Sequence, residues 1–543
     1  MENFRLSEWF RNGAPWIWLS AATVSLSLFT VASLILLLVV NGFGHFWPDA
    51  VAEFDQDNRR ILGEIRQTEA IAANRLKGLG INLPDGEKII TRHLIKTGNR
   101  ELSGSDFNWF YNITTTRFPE DVYVLERREW GNFYGFLKTV DRGWSRDIDS
   151  VFRDRIERSR SIWNEIKHIE KDEIGAVNYR LEKLRLKTRS LELKNALSAR
   201  NEALLQAEQN DLAKKYESLQ HKLKELYVKI AADAVSMETG EGRIVKILLR
   251  NIVRAYQPNK LSGFDKFRFY CEKIWEFVSD EPREANTEGG IFPAIFGTVL
   301  MVLIMSLLVT PMGVIAAVYL SEYANQGFLT RIIRIAVNNL AGVPSIVYGI
   351  FGLGFFVYFL GSGVDRIFYP ESLPAPVFGT PGLLWASITL AILTLPVVIV
   401  ATEEGLARIP RSIREGSLAL GATKAETLWR TVIPMASPAI MTGMILAISR
   451  AAGEVAPLML VGVVKLAPSL PFDGNFPFLH LERKFMHLGF HIFDVGFQSP
   501  NVEAARPLVY ATALLLVMVI VVLNLTAIAV RNHLREKYRA LEN

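Results

Sequence analysis

Cysteine is nearly absent from this sequence, which holds Cys271 and no second thiol among its 543 residues. An intramolecular disulfide is therefore excluded, and the fold must be held together by packing. The sequence also has no Gly-x-x-x-x-Gly-Lys-Ser/Thr loop for nucleotide phosphates, since the run from Gly421 to Lys424 lacks the first glycine. If the protein uses ATP, another chain is expected to hydrolyse it.

A concentrated basic patch with interleaved aromatic residues is missing as well. The formal net charge is only +5, so no nucleic-acid partner is expected. The spacing of the possible metal ligands gives equally little support for a metal site. His487 and His491 fit one helix face and His480 precedes them, but no third strong ligand follows at a suitable spacing. We therefore expect no metal site.

Charge is absent from several long windows. A helix needs about 20 apolar residues to cross a hydrocarbon core of about 30 Å. The windows without Asp, Glu, Lys or Arg that exceed this length are 12–46, 289–321, 335–364, 372–402 and 507–530. A further window, 431–464, is interrupted only by Arg450 and Glu454. The pattern predicts an all-α membrane protein with six transmembrane helices.

Lysine and arginine are unevenly shared between the short segments that connect these windows. One side would carry Arg5, Arg11, Arg331, Arg334, Arg408, Arg411, Arg414, Lys424, Arg430, Arg531, Arg535, Lys537 and Arg539. The other side would carry Arg366, Lys465, Arg483, Lys484 and Arg506. Because positive residues accumulate on the cytoplasmic side, both termini are predicted to be cytoplasmic. Residues 47–288, here termed the insertion, are predicted to face outward, and the first window is interpreted as an uncleaved anchor.

The insertion combines two kinds of sequence. A mixed, aromatic-bearing stretch at 107–144 predicts a small domain. Neither glycine nor proline then occurs between Ala176 and Thr239, which favours a long helix at about 155–235. Apolar residues recur there at the four-three spacing of a helical seam: Val177, Leu181, Leu184, Leu191, Leu205, Leu212, Tyr216, Leu219, Leu223, Leu226 and Ile230.

The middle of this seam is polar, at Thr188, Asn195, Ser198, Glu202 and Gln209. We therefore expect a helix that folds back into a hairpin, or an intermolecular coiled coil, rather than two long continuous helices. The insertion is interpreted either as a spacer or docking platform for an extracytoplasmic partner or as an inert structural element.

A polar segment at 403–434 lies between the fourth and fifth windows. Two sequences in it match capping boxes, in which a hydroxyl and a carboxylate satisfy the free amides of a helix start. They run from Ser412 to Glu415 and from Thr423 to Glu426. Gly421 is expected to end the first helix in a left-handed conformation, and Pro434 to end the second. The segment is predicted to form a helix-turn-helix, here termed the elbow.

The elbow resembles the EAA loop of ABC importer permeases, in which Glu-Ala-Ala, a glycine and Ile-x-Leu-Pro stand at fixed distances. Glu415, Gly421 and Pro434 stand at this spacing, while the sequence departs from the pattern at Gly416, Ser417, Thr431 and Ile433. The resemblance implies that the elbow fits a cleft on a separate ATPase subunit, which would bind ATP and Mg²⁺. The alternative is an ordinary amphipathic cytoplasmic loop.

Arg450 and Glu454 are expected at the middle of the fifth span of the membrane. An ionisable residue at such a depth costs about 2.5–3.5 kcal/mol on insertion scales, so it usually faces a polar cavity or a partner. Four residues apart, the two side chains share a helix face and are expected to pair. A guanidinium donates in a fork that fits phosphate oxygens. The pair is therefore interpreted as a substrate-pathway site, or alternatively as a structural ion pair.

Three further segments narrow the resemblance to phosphate importer permeases of the PstA type. They are 289–298, 341–354 and 450–456, and the similarity covers roughly residues 281–530. The family's Gly-Arg-Ala-x-Gly-Glu-Thr-Ala motif is matched at Arg450 and Glu454, whereas Ser449 replaces its first glycine and Val455 its threonine. The long insertion resembles that of a long-form variant of the family.

The resemblance implies a MetI-like core of five spans within 289–530, preceded by one N-terminal span in residues 1–46 and followed by a cytoplasmic tail at 531–543. It also implies an inner-membrane location and four kinds of partner: a PstC-type sister permease, a PstB-type ATPase dimer, a periplasmic phosphate-binding protein and membrane lipid. The chain would be a transport subunit for phosphate and not itself an enzyme.

Two other functions remain open at this point. One is a permease for another oxyanion, such as sulfate or molybdate, which would share the same fold and elbow. The other is a membrane-anchored coiled-coil scaffold or sensor, which would explain the insertion and the anchor without transport.

Overall fold

The computed structural model describes residues 12–56, 59–72, 89–111, 113, 116–141, 148–499 and 502–538. Residues 1–11 and 539–543, including Arg5, Arg11 and Arg539 of the charge comparison, lie outside the described residues, as does Trp144. All residues of the elbow and the Arg450–Glu454 pair are described.

Within the described residues, six helical segments are long and apolar enough to cross a membrane, as predicted. They are termed spans 1 to 6 and comprise Pro15–Gly44, Phe292–Tyr323, Ser345–Phe368, Leu383–Ala407, Lys424–Gly453 and Ala505–His533. The helices of the membrane region are α1 (Ala14–Gly44), α7 (Phe292–Val318), α8 (Phe328–Leu340), α9 (Ser345–Phe351), α10 (Ser362–Phe368), α11 (Leu383–Ala407), α12 (Arg411–Ala419), α13 (Lys424–Thr427), α14 (Ile433–Gly453), α15 (Leu458–Val461), α16 (Leu488–Phe493) and α17 (Val502–Tyr538). π-Helical turns at 319–323, 352–361, 428–432 and 494–498 connect or extend several of them.

Span 3 begins ten residues later than the charge-free window predicts. The chain first forms α8 and then leaves the helical conformation at 341–344, before Ser345 starts α9. Pro344 has no N–H to continue the ladder, and its ring restricts the residue before it. The Tyr348 hydroxyl donates to the Leu340 carbonyl at 2.7 Å and so satisfies a group freed by the break.

The centre of the membrane region is α11, which packs between α7 and α14. Met301, Leu390 and Ala447 from these three helices are fully buried in one apolar cluster. Glycines at the helix contacts leave no room for side chains: a Cβ on Gly443 would stand 2.8 Å from that of Ala401. Small residues let membrane helices approach closely, so that dispersion contacts hold them together.

Among its described residues, the insertion contains two five-stranded antiparallel sheets, whereas the sequence analysis predicted only a small domain and a long helix there. The strands are β1 (Val51–Gln56), β2 (Arg59–Ala72), β3 (Ile89–Lys96), β4 (Phe107–Tyr111), β5 (Thr116–Arg117), β6 (Val122–Arg127), β7 (Phe133–Val140), β8 (Ala234–Glu238), β9 (Ile244–Leu248) and β10 (Ile252–Tyr256). One sheet has the order β4-β3-β2-β1-β5 and the other β10-β6-β7-β8-β9. Most of these strands contain at least one charged residue, which hid them in a search for apolar runs.

Helices complete the insertion: α2 (Arg100–Ser103), α3 (Ile148–His168), α4 (Gly175–Leu193), α5 (Ala199–Ala231) and α6 (Gly263–Ser279). A short two-stranded ladder, β11 (Pro282–Arg283) with β12 (Glu288–Gly289), leads into span 2. The long glycine-free stretch folds back between α4 and α5. Ser198 caps α5 by accepting the Asn201 N–H at 3.3 Å, so the polar middle of the seam forms the turn of a helical hairpin.

The hairpin rests on the loops that connect the spans on its side. The Tyr179 hydroxyl of α4 donates to the Phe476 carbonyl, and the Lys183 ammonium lies 5.9 Å from the Phe476 ring centroid. At the other end of the insertion, the Asn286 amide donates to the Lys465 carbonyl at 2.8 Å. The insertion is thus joined to the permease loops at two places far apart in sequence.

Candidate functional site

The first helix of the elbow does not begin with the predicted capping box. Helix α12 starts at Arg411 after Pro410, and no side chain caps it. Ser412 therefore lies within the first turn, where it is exposed like Glu415. The prediction was wrong because proline, with its fixed φ and missing N–H, starts the helix two residues earlier.

The turn and the second capping box form as predicted. Gly421 has φ +89°, a left-handed conformation that costs glycine little. Glu426 accepts the Thr423 N–H at 2.9 Å, and the Glu426 N–H donates back to the Thr423 hydroxyl at 3.3 Å. These reciprocal bonds set the direction in which the chain enters span 5.

Pro434 does not end the second helix. Helix α13 passes through a π-helical turn at 428–432 into α14, and Pro434 occupies the first turn of α14. In the π turn the Ile433 N–H donates to the Leu428 carbonyl, five residues earlier. Because the hydrogen-bonding pattern changes in this turn, the helix continues through Pro434, which has no N–H to donate.

Arg414 fastens the elbow to the ends of two spans, a role that the sequence analysis missed. Its guanidinium pairs with Glu322 of span 2 at 2.8 Å. It also donates to the carbonyls of Ile409 at 2.7 Å and Leu406 at 2.8 Å. Glu322 directly follows the charge-free window of span 2. Its position was the feature of the sequence from which a partner for Arg414 could have been predicted.

The two short helices of the elbow are also joined to each other and to the membrane region. The hydroxyls of Ser417 and Thr427 lie 2.9 Å apart, and the Lys424 ammonium donates to the Glu322 carbonyl. Beneath them is a buried apolar cluster of Leu406, Ile409, Leu428, Val432, Ala436 and Ile440. The elbow is therefore held rigidly against spans 2, 4 and 5.

The outer, exposed face of the elbow carries both large apolar and charged side chains. Leu418, Leu420 and Trp429 are exposed, Leu420 almost completely. In the described part of the chain, the Glu415 carboxylate beside them has no partner. Exposed large apolar side chains within a rigid, polar-rimmed surface are typical of a protein docking site.

Arg450 and Glu454 lie at the end of a helix and not at its middle, which corrects the sequence-based placement. Helix α14 ends at Gly453, and Glu454 is the residue that follows its last turn. The pairing itself is as expected: Arg450 Nε and Glu454 Oε1 are 3.5 Å apart. Glycine favours the helix end, and Pro457 prevents the helix from continuing.

The fold brings together two of the segments that were singled out in the sequence. A Cβ on Gly349 would lie 2.7 Å from Pro457 Cα, so span 3 touches the chain directly after Glu454. Tyr348, the neighbour of Gly349, is buried in one apolar cluster with Ala447 and Ala451 of α14. Ser449, which stands where the family motif has glycine, donates to Asn524 Oδ1 of span 6 at 2.9 Å.

The Arg450 guanidinium keeps most of its donors available. Among the described residues, Glu454 is the only side chain that pairs with it, and their separation is longer than the roughly 2.7–2.9 Å of a close charged hydrogen bond. Both side chains are partly exposed, by 33% and 21%. The arrangement is suited to brief contact with an oxyanion, because a nearby carboxylate weakens the attraction of the guanidinium for a second anion.

The three histidines considered as metal ligands have other surroundings. His480 lies between Asp473 at 3.1 Å and Glu482 at 3.2 Å, whereas His487 and His491 are buried. Burial lowers the pKa of His487 to about 3 and that of His491 to about 4. Within the described ranges, no three His, Cys, Asp or Glu side chains are grouped to hold a metal ion.

Comparison with known proteins shows which protein family this chain is similar to. Residues 309–540 match the family model "Binding-protein-dependent transport system inner membrane component". The probable ABC transporter permease proteins YqgH and YqgI of Bacillus subtilis are 30% and 31% identical, over 41% and 47% of this chain and 66% and 81% of theirs. The phosphate transport system permease protein PstA 1 of Mycobacterium tuberculosis is 35% identical over 45% of this chain and 71% of that protein.

Proposed function

Because the chain belongs to the binding-protein-dependent transport system inner membrane components, as a PstA-type, MetI-like ABC permease, we propose that it forms part of the pathway of an ATP-driven importer of inorganic phosphate. Members of this family are multi-pass inner-membrane transport subunits that work with a separate ATPase and a substrate-binding protein. The observation that carries the choice of phosphate is the Arg450–Glu454 pair, held where the segments of spans 3 and 5 meet.

We assign the elbow to the cytoplasmic side and the insertion to the periplasmic side. Spans 2, 3 and 4 separate them, and an odd number of crossings leaves two segments on opposite sides. The excess of Lys and Arg around the elbow supports the cytoplasm for that side. Both termini then share it, since the chain crosses six times.

The elbow is proposed to dock into a PstB-type ATPase dimer. Leu418, Leu420 and Trp429 would enter the ATPase surface, while Glu415 and the rim residues around Gly421 would orient it. The capping box from Thr423 to Glu426 would keep the elbow in register with span 5. Ser412 has no capping role, so any part it plays would come from its exposed position on the outer face. ATP and Mg²⁺ would be bound in the ATPase alone.

In the pathway, Arg450 would contact phosphate during its passage from a periplasmic binding protein, between this chain and a PstC-type sister permease. Its unpaired N–H groups provide the donors that phosphate oxygens accept. Glu454 would limit the affinity, since its carboxylate repels the arriving anion and keeps the guanidinium oriented. A substrate that is held weakly is also released quickly.

Uptake of radiolabelled phosphate by starved cells tests this proposal. Arg450→Gln should abolish or strongly reduce uptake while the protein remains in the membrane at normal amounts, because glutamine offers neither the charge nor the fork. Arg366→Gln, an exposed arginine at the end of span 3, is the matched control and should transport normally. Normal uptake by Arg450→Gln would refute the role of the pair.

Competition distinguishes phosphate from other oxyanions. Inhibition of uptake by arsenate, with no inhibition by sulfate or molybdate, is expected of a phosphate pathway. Inhibition by sulfate or molybdate would favour the other oxyanion permease. A membrane-anchored scaffold is disfavoured, because it would not require the rigid elbow or five further spans.

A further inference from the structure

Helix α6 of the insertion places its charged and apolar side chains on unexpected faces. Lys273 and Glu276 point inward, with side chains only 18% and 11% exposed, and they pair with each other at 3.1 Å. Phe264, Phe267 and Trp275 point outward and are 77%, 56% and 72% exposed. A surface helix in water normally buries its apolar face against the core.

The outward residues form one continuous stripe along the helix. Phe264, Phe267, Cys271 and Trp275 are separated by three, four and four residues, the spacing of a single helical face, and all four are exposed. They are termed the aromatic stripe. An ion pair on α6, Arg268 Nε to Glu272 Oε1 at 3.1 Å, flanks the stripe on one side. Such a stripe marks a surface that meets another apolar phase.

Contacts with span 1 indicate what that phase is. The ring of Tyr270 lies 5.7 Å from that of Trp47, and the ring of Phe277 lies 5.0 Å from that of Phe46. Phe46 and Trp47 follow the end of span 1 at Gly44 by two and three residues. Helix α6 is therefore packed against the point at which span 1 leaves the hydrocarbon.

The C-terminal end of α6 is fixed to a second span at the same level. The Ile291 N–H donates to the Phe277 carbonyl at 2.8 Å, and the Phe292 N–H donates to the Asp280 carbonyl at 3.1 Å. Phe292 is the first residue of span 2. Contacts at the end of span 1 and at the start of span 2 thus hold α6 beside the points where the two spans meet the membrane boundary.

From these contacts we infer that α6 is an interfacial helix, with its aromatic stripe inserted among the headgroups and upper acyl chains of the bilayer on the side of the insertion. Tryptophan and phenylalanine on one face of a helix, with charges on the other, are typical of helices that lie in this layer. The inference is independent of which solute the permease carries. It assigns to the insertion a lipid-binding surface that orients its sheets and hairpin above the spans.

The native cysteine allows a direct test, because Cys271 lies within the stripe and is the only cysteine in the chain. The purified full chain would be spin-labelled at Cys271 and reconstituted into phosphatidylethanolamine–phosphatidylglycerol liposomes. Collision with oxygen, which concentrates in lipid, should be frequent, and collision with a water-soluble nickel chelate rare. The reference is Glu241→Cys in a Cys271→Ser background, in the exposed turn before β9, where the chelate should dominate.

Variants of the stripe complete the test. Phe264→Ser with Trp275→Ser should raise access of the nickel chelate to Cys271 towards the reference value without lowering the thermal midpoint in detergent, since neither side chain is buried. Ile244→Ser, which removes an apolar residue of β9 that is 65% exposed, should change neither value. Access of the chelate to Cys271 equal to that at the reference would overturn the inference, as would a label shielded from both reagents, which would indicate cover by protein.

Discussion

Replacing Arg414 with methionine should loosen the elbow without unfolding the spans. In the intact protein the guanidinium pairs with Glu322 and donates to the carbonyls of Leu406 and Ile409. The Leu406 carbonyl lies in the last turn of α11, where a helix leaves its last acceptors without helical partners, and the Ile409 carbonyl lies two residues beyond its end. Methionine retains much of the apolar stem but removes every donor.

The expected loss follows from burial. Removing one partner of a fully buried ion pair costs about 3–5 kcal/mol, and a hydrogen bond to a charged group contributes about 1.5–3 kcal/mol. Arg414 and Glu322 are 19% and 14% exposed, so water partly compensates and the lower range applies. We expect about 2–3 kcal/mol, which corresponds to roughly a 30- to 160-fold increase in the population of the detached elbow.

Amide hydrogen exchange measures that population. In the Arg414→Met protein, amides of α12 should exchange faster by the stated factor, because exchange there requires local opening, while amides of α11 within span 4 should be unaffected. Arg411→Met is the matched control, as Arg411 is exposed on the same helix. A double-mutant cycle with Glu322→Gln isolates the pair itself. Exchange of α12 at the same rate in Arg414→Met and Arg411→Met would refute the reasoning.

Two further predictions concern single side chains. Thr423→Val should destabilise the start of span 5 by about 1 kcal/mol, seen as faster amide exchange at Glu426, whereas Thr423→Ser should be neutral; equal exchange in both would contradict this. The pKa of His487 is about 3 in the folded protein against about 6.5 when unfolded, so the unfolded chain alone gains a proton as the pH falls below 6.5. This costs about 2 kcal/mol at pH 5. The thermal midpoint should therefore fall less between pH 7 and pH 5 in His487→Asn, whose side-chain oxygen can still accept the Gly489 N–H, and an equal fall would count against it.

The spans were predictable from sequence because the cost of burying charge in hydrocarbon leaves long, unambiguous windows. The capping box at Thr423 and the turn at Gly421 were predictable for a related reason: both depend on local chemistry alone. Ser412 shows the limit of that approach. The same four-residue pattern occurs inside a helix when a preceding proline starts the helix earlier. The pattern alone does not distinguish a capping box from four residues within a helix.

The features that sequence reasoning missed depend on contacts between distant segments. Arg414 looks like one more cytoplasmic charge until Glu322 is placed beside it. The sheets of the insertion pair strands across more than 90 residues, as where β7 meets β8, and such pairing leaves little local signal. Helix α6 is the clearest case, since its inward charges are explained only by partners such as Glu126, 2.5 Å from Lys273.

The placement of these contacts has a mechanical consequence for the insertion. It is joined to the membrane region at Phe277 beside Phe46, at Tyr179 on Phe476 and at Asn286 on Lys465. These contacts involve the exit of span 1 and the loop that links span 5 to span 6. A change in the relative positions of those spans, which alternating access requires, must therefore break at least one contact or carry the whole insertion with it. One of these contacts, at Tyr179, lies far from both ends of the insertion. We therefore expect the insertion to move together with the outer end of the transport pathway.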